Sequence, residues 1–151
     1  VVVQLQGRAM YKGISALALD AKGRMLIPTK YRDALAVQCG GQLTLTRHPH
    51  GCLLLLPRTV WADMEREIAA WPMAARPWQR IFMGNATDID IDSAGRILLA
   101  PELRAKAGLT KDVVMLGMGT HFEIWDAAQH DANEEATLEA GMPEVLNGFS
   151  F

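Results

Sequence analysis

Hydrophobic and polar positions alternate along Ile14-Ser-Ala-Leu-Ala-Leu19, and a second alternation runs along Thr87-Asp-Ile-Asp-Ile91. A period of two puts every other side chain on one face, so both segments predict strands. Each alternation leads into the same pattern: Asp20-Ala-Lys-Gly-Arg24 and, 72 residues later, Asp92-Ser-Ala-Gly-Arg96. An apolar stretch follows in each copy, Met25–Ile27 or Ile97–Leu99, and then a proline, Pro28 or Pro101. A helical segment comes next, Thr29–Ala36 or Glu102–Ala107, carrying an arginine eight residues past the first, Arg32 or Arg104. Glycine closes it (Gly40-Gly41 or Gly108), and two more short strands are predicted: Gln42–Thr46 with Cys52–Leu56, and Asp112–Leu116 with His121–Trp125. Each half therefore reads strand, tight turn, strand, short helix, strand, strand, which is a duplicated supersecondary unit.

Turn chemistry agrees with this reading. An Asp at the turn entrance accepts backbone N–H bonds, and the Gly three residues on supplies a positive φ. Proline suits the first turn of a helix, where its missing N–H would have had no partner. Between the halves, Val60, Met64, Ile68 and Trp71 fall at spacings of four, four and three within Pro57–Trp71, the stripe of an amphipathic helix. Pro72 stops it, and Pro77–Met83 predicts another helix with Trp78, Ile81 and Phe82 on one side, suited either to packing on the chain's own core or to contact with neighbouring subunits. A last helix is expected over Asp126–Ala140, and nothing in Phe149-Ser-Phe151 decides between a disordered and a docked end. The divisions are thus 10–56 and 86–126 for the two halves, 57–85 for the helical connector and 127–151 for the C-terminal helix and tail.

Size bears on how the halves relate. The chain has 151 residues, 50% of them hydrophobic, and a half of about 50 residues is marginal alone, so the copies are expected to share one core. Two cysteines, Cys39 and Cys52, make no disulfide framework, which fits a reducing compartment. The longest aliphatic run, Leu53–Leu56, is far too short to span a bilayer, and a soluble cytoplasmic protein is expected.

Net charge of −2 argues against a polyanion partner, but its distribution argues for one. Up to Arg32 there are six Lys or Arg (Arg8, Lys12, Lys22, Arg24, Lys30, Arg32) against Asp20, whereas beyond His130 there are five acids and no base. Local potential steers polyanions, so an acidic tail hides a basic front.

Three candidate chemistries fail on spacing. Asp88, Asp90 and Asp92 suggest calcium, but the EF-hand positions that need Gly and Glu hold Ser93 and Leu99. Cys39, His48, His50 and Cys52 match no usual zinc spacing, and His48-Pro-His-Gly51 reads more simply as a hairpin loop, so no metal site is expected. Nucleophile-elbow, phosphate-loop and dinucleotide signatures do not occur, so neither enzyme activity nor a cofactor is expected. What remains is Lys22, Arg24 and Arg96. A guanidinium beside a tight turn can contact phosphate oxygens or guanine, or pair with the Asp four residues back, and a buttressed arginine can do both.

Met10-Tyr-Lys-Gly, Leu19-Asp-Ala-Lys-Gly-Arg24, Ile27-Pro-Thr-Lys-Tyr-Arg32 and Asp92-Ser-Ala-Gly-Arg96 together resemble the MraZ family of bacterial transcriptional regulators, over Met10 to about Gln129. The family's doubled Asp-x-x-x-Arg signature belongs to the SpoVT/AbrB superfamily of DNA-binding domains. The resemblance implies an α+β fold, a swapped-hairpin β-barrel made by the two tandem halves, with helices between and after them. It also implies a ring-forming homo-oligomer, associated with the nucleoid, that binds direct repeats of double-stranded DNA in the promoter of the division and cell-wall gene cluster, usually as a repressor. By position, Lys22, Arg24, Arg96, Lys12 and Lys30 are the DNA-binding residues, and Asp20, Gly23, Asp92 and Gly95 are the structural partners of the turns. The second signature has Ala94 where the first has Lys22, so the second half should contribute less charge. The family begins at the position of Met10, which sets Val1–Ala9 apart as a tag or an overlong start. Two other classes stay open at this point: an AbrB-type antitoxin that wraps a partner toxin, and a ring-forming scaffold with no DNA role.

Overall fold

The computed structural model describes residues 2–5 and 8–150, with side chains described from Met10 onward. Val1, Gln6 and Gly7 of the segment set apart in the sequence lie outside the described residues, as does Phe151 of the C-terminal end.

The first half comprises β1 (Val2–Leu5), β2 (Arg8–Ala18), β3 (Arg24–Leu26), α1 (Thr29–Cys39), β4 (Gln42–Arg47) and β5 (Leu53–Pro57). The connector is α2 (Arg58–Ala69), a single 3₁₀ turn over Met73–Ala75 and α3 (Arg76–Gly84). The second half follows as β6 (Thr87–Asp90), β7 (Arg96–Leu98), α4 (Pro101–Lys106), β8 (Asp112–Gly119) and β9 (Phe122–Asp126), and after it come α5 (Ala127–Ala140) and a 3₁₀ turn over Glu144–Leu146. The fold is mixed α+β. Its main sheet is antiparallel and open, with seven strands in the order β1-β2-β8-β9-β5-β4-β6, and a separate ladder joins β3 to β7.

The halves are interleaved. β2 of the first half pairs along its length with β8 of the second, from Tyr11 opposite Gly119 to Ala18 opposite Asp112. In return β6 of the second half pairs with β4 of the first, Gln42 opposite Asp90. A shared core follows from this exchange: Tyr11, Met25, Ile27, Leu35, Leu43 and Leu55 pack in one cluster with Ile97, Leu99, Val113, Met115, Phe122 and Ile124. At its centre the rings of Tyr11, Tyr31 and Phe122 stand 4.6–5.8 Å apart in tilted and edge-to-face pairs, the arrangement aromatic quadrupoles favour. The Tyr31 hydroxyl donates to the Lys12 carbonyl at 2.6 Å, and the Tyr11 hydroxyl donates to the Gln38 side chain.

β5 explains the aliphatic run. Leu53 and Leu55 face the shared core, while Leu54 and Leu56 face α2 and α3, where Trp61 and Ile68 are buried and Val60, Met64, Trp71 and Phe82 pack against them. A strand covered on both faces has no polar side to show, so its alternation disappears. The connector helices thus sit on the chain's own sheet, leaving Met73, Trp78 and Met83 exposed.

Two helices differ from their expected bounds. α1 continues to Cys39 because Gly40 adopts a left-handed cap, its N–H donating to the Ala36 carbonyl while Gly41 N–H reaches Leu35. α5 starts at Ala127 because Asp126 is its cap, accepting from Gln129 N–H, and Thr110 donates to the same carboxylate through both N–H and hydroxyl. These bonds, the Thr110 hydroxyl first, hold Asp126 below the usual carboxylate range. Asp88 and Asp90 lie on the edge strand β6 and are exposed. They are held by Arg58, whose Nη2 donates to Asp90 at 3.0 Å and to the Leu43 and Ile89 carbonyls.

Candidate nucleic-acid interface

The two signature turns have the same internal construction. Asp20 Oδ1 accepts the N–H of Lys22 at 2.9 Å and of Arg24 at 2.8 Å, and its Oδ2 accepts Arg24 Nε–H at 2.6 Å. Asp92 Oδ1 accepts the N–H of Ala94 at 2.9 Å and of Arg96 at 2.8 Å, and its Oδ2 accepts Arg96 Nε–H at 3.1 Å. Gly23 and Gly95 donate back to the Asp20 and Asp92 carbonyls, at φ of +83° and +82°. The Arg24 amide above all, with help from the Arg24 side chain and the Lys22 amide, holds the Asp20 carboxyl down at about 2. The Arg96 amide likewise leads in lowering Asp92.

The β3–β7 ladder then brings the turns together. Arg24 stands opposite Leu98, Met25 opposite Ile97 and Leu26 opposite Arg96. Met25 and Ile97 point into the core at 0% and 1% exposure, so Arg24, Leu26, Arg96 and Leu98 share the outer face, where the leucines are 45% and 52% exposed. The two arginines are diagonal neighbours on this face, about 7–8 Å apart at their bases. Each guanidinium commits its Nε–H to aspartate and makes no hydrogen bond through its terminal nitrogens to another described residue.

A second pair of arginines braces the turns. Arg32 Nε–H donates to the Ile27 carbonyl at 2.7 Å and Arg104 Nε–H to the Leu99 carbonyl at 3.0 Å. The Arg104 guanidinium covers Gly23 and that of Arg32 covers Gly95, each crossing from the opposite half. Backbone bonds cross in the same sense, Ile27 N–H to the Gly95 carbonyl at 2.8 Å and Leu99 N–H to the Gly23 carbonyl at 3.0 Å.

Of the residues named from sequence, Arg24 and Arg96 are thus assembled on one surface with Asp20, Gly23, Asp92 and Gly95 as their supports. Lys22 is exposed on the first turn, and its counterpart Ala94 offers no charge. Lys12 on β2 and Lys30 at the start of α1 are both exposed, with Lys30 Nζ 5.1 Å from the Tyr31 ring centroid. The bracing role of Arg32 and Arg104 goes beyond the signature residues, although their common spacing from Arg24 and Arg96 marks them. Leu26 and Leu98 were read only as members of apolar runs.

The MraZ profile, described as "MraZ protein, putative antitoxin-like", matches residues 10–81 and again 82–144. The chain belongs to the MraZ family. It is 62% identical over 142 residues to a protein of Janthinobacterium sp. (strain Marseille) named "Transcriptional regulator MraZ", which covers 94% of this chain and 100% of that protein. Relatives of the same name from Herminiimonas arsenicoxydans and Acidovorax sp. (strain JS42) are 64% and 55% identical over 142 residues, with the same coverage. The boundary between the two MraZ matches falls inside α3, so each signature turn lies in its own repeat. Among the described residues no helix is long and apolar enough to cross a membrane.

Proposed function

We propose that this chain is a sequence-specific, DNA-binding transcriptional regulator that works through the outer face of the β3–β7 ladder. The observation that carries this reading is the convergence of Arg24 and Arg96 on one exposed two-stranded ribbon, each oriented by its own aspartate. A two-stranded ribbon fits the major groove, where an arginine pairs with guanine and an apolar side chain meets the thymine methyl. Leu26 and Leu98 would make that second kind of contact, and Lys22 would contact phosphate beside Arg24. The name shared by the similar proteins, transcriptional regulator, supports the same reading.

The cross-pairing of β2 with β8 and of β4 with β6 supports a swapped-hairpin β-barrel in which two SpoVT/AbrB-like halves exchange strands. One ladder neutralises few phosphates and would bind weakly at cellular salt. A homo-oligomeric ring, with the exposed apolar residues of the connector at its subunit contacts, would present several ladders to evenly spaced repeats and gain by effective concentration. The target is direct repeats in the promoter of the division and cell-wall gene cluster, and the effect is repression, exerted on the nucleoid in the cytoplasm. Neither a catalytic residue nor a cofactor is required.

An electrophoretic shift with repeated and scrambled duplexes of equal length tests this: retardation by the repeats alone is expected, and equal retardation by both would contradict sequence selection. The antitoxin-like wording of the matched family description favours one other reading, in which the exposed acidic α5 wraps a partner toxin. Co-purification of a small partner at fixed stoichiometry, with no DNA shift, would establish that instead.

A further inference from the structure

Away from the arginine ladder, the β4–β5 hairpin loop and the start of β9 gather a set of donor groups that DNA binding does not use. His48 follows β4, Cys52 precedes β5, and Glu123 lies on β9. His48 Nε2 is 3.3 Å from Glu123 Oε2, and Cys52 Sγ is 3.7 Å from Glu123 Oε1. One ligand atom from each of the three falls within 4.8 Å of the others, the only such group of three among the described residues. The site is enclosed, with Cys52 2% exposed and the side chains of His48 and Glu123 17% and 12% exposed.

We propose that His48, Cys52 and Glu123 bind a divalent zinc ion. Tetrahedral bonds of about 2.0–2.3 Å put neighbouring donor atoms about 3.3–3.7 Å apart; His48 Nε2 and Glu123 Oε2 already stand at that separation, and the Cys52 thiol needs only a small inward shift from within 4.8 Å. Thiolate with imidazole selects zinc over calcium or magnesium, which prefer all-oxygen sites. The carboxylate is held in place by Trp125, whose indole Nε1–H donates to Glu123 Oε1 at 2.9 Å, as outer hydrogen bonds hold metal ligands. The group of three does not include His121, so water would take the fourth position, as in open zinc sites.

The protons balance as follows. Burial, then the Glu123 charge, pushes the Cys52 thiol up, so without an ion it keeps its proton. That is the opposite of a nucleophilic cysteine. Zinc would displace this proton to solvent. His48 Nδ1 accepts the His50 N–H at 2.9 Å, which leaves the ring proton on Nε2 facing Glu123. Coordination through Nε2 shifts that proton to Nδ1 and releases the His50 N–H, which is exposed and can turn to water. The net change is one proton released for one ion bound. The set differs from the sequence candidates. Cys39 packs against the shared core, whereas Cys52 lies in another cluster with Val114 and Trp125.

Cobalt(II) as a spectroscopic stand-in, titrated into the full chain after chelator treatment, tests the site. One equivalent per chain is expected, with a near-ultraviolet thiolate-to-cobalt band that zinc abolishes. Cys52→Ser should remove the band, His48→Gln and Glu123→Gln should each weaken binding more than about tenfold, and Cys39→Ser should change nothing. Zinc should also raise the unfolding temperature of the wild-type chain but not of Cys52→Ser, which separates lost binding from lost folding. No thiolate band, or one that survives Cys52→Ser and disappears with Cys39→Ser, would overturn the site.

Discussion

The guanidinium of Arg104 covers Gly23, so closely that a Cβ on that glycine would fall 2.5 Å from Arg104 Cζ. The glycine is also at φ +83°, where an L side chain is strained. Two independent penalties therefore meet at one position. Gly23→Ala should cost about 1–3 kcal/mol, read as a lowered midpoint in urea. Gly40→Ala is the control: its φ is +63°, but a Cβ there meets nothing within 4 Å, so only the backbone penalty of about 1 kcal/mol applies.

The Arg104 side chain should matter to the turn of the other half. Arg104→Ala removes a hydrogen bond to the Leu99 carbonyl and uncovers Gly23, for a loss of about 1–2 kcal/mol. Because the brace crosses between halves, amide exchange should speed up around residues 20–24 as well as near residue 104. Acceleration confined to α4 would contradict the crossed arrangement.

Acid should weaken the first turn in a defined window. The Asp20 pKa falls from 3.8 to about 2 on folding, so the folded chain binds fewer protons there than the unfolded chain. Its stabilising effect is complete above the unfolded value and is lost as pH falls from about 4 toward 2. Asp20→Asn removes this contribution. The stability gap between wild type and variant should close across that window in urea titrations at stepped pH.

The doubly buried strand gives a packing prediction. Leu54 is 5% exposed and faces α2 and α3 rather than the shared core. Leu54→Ala should cost about 2–5 kcal/mol, and near-ultraviolet dichroism should report a loosened Trp61 environment. The aromatic trio of Tyr11, Tyr31 and Phe122 should be less affected, since it packs on the opposite face of β5.

Much of the strand layout was legible because alternation, turn glycines and prolines are local signals. The two half-repeats, the helix stripe of Val60, Met64 and Ile68, and the Asp–Arg pairing inside each turn could all be read at short range. The β3–β7 ladder could not. Each strand has three residues, and its partner lies about 70 positions away in the other half, so no periodicity announces the pairing. Without the ladder, Leu26 and Leu98 look like core, whereas in three residues only the central one turns inward. Glu123 was missed for the same reason: 71 residues separate it from Cys52, and only the pairing of β5 with β9 makes them neighbours.

The two arginines should contribute unequally to DNA binding. Lys22 stands beside Arg24, while Ala94 takes its place beside Arg96, so Arg24→Ala should reduce affinity more than Arg96→Ala. Each arginine that contacts phosphate should lower the salt slope of log K by about 1.

Fluorescence anisotropy of a labelled direct-repeat duplex, with wild type and the Arg24→Ala/Arg96→Ala double variant compared at several salt concentrations and the fold of both checked by circular dichroism, reaches the interface itself. Loss of repeat binding and a shallower salt slope in a folded double variant is the expected result; binding equal to wild type would remove the β3–β7 ladder as the DNA-contacting surface.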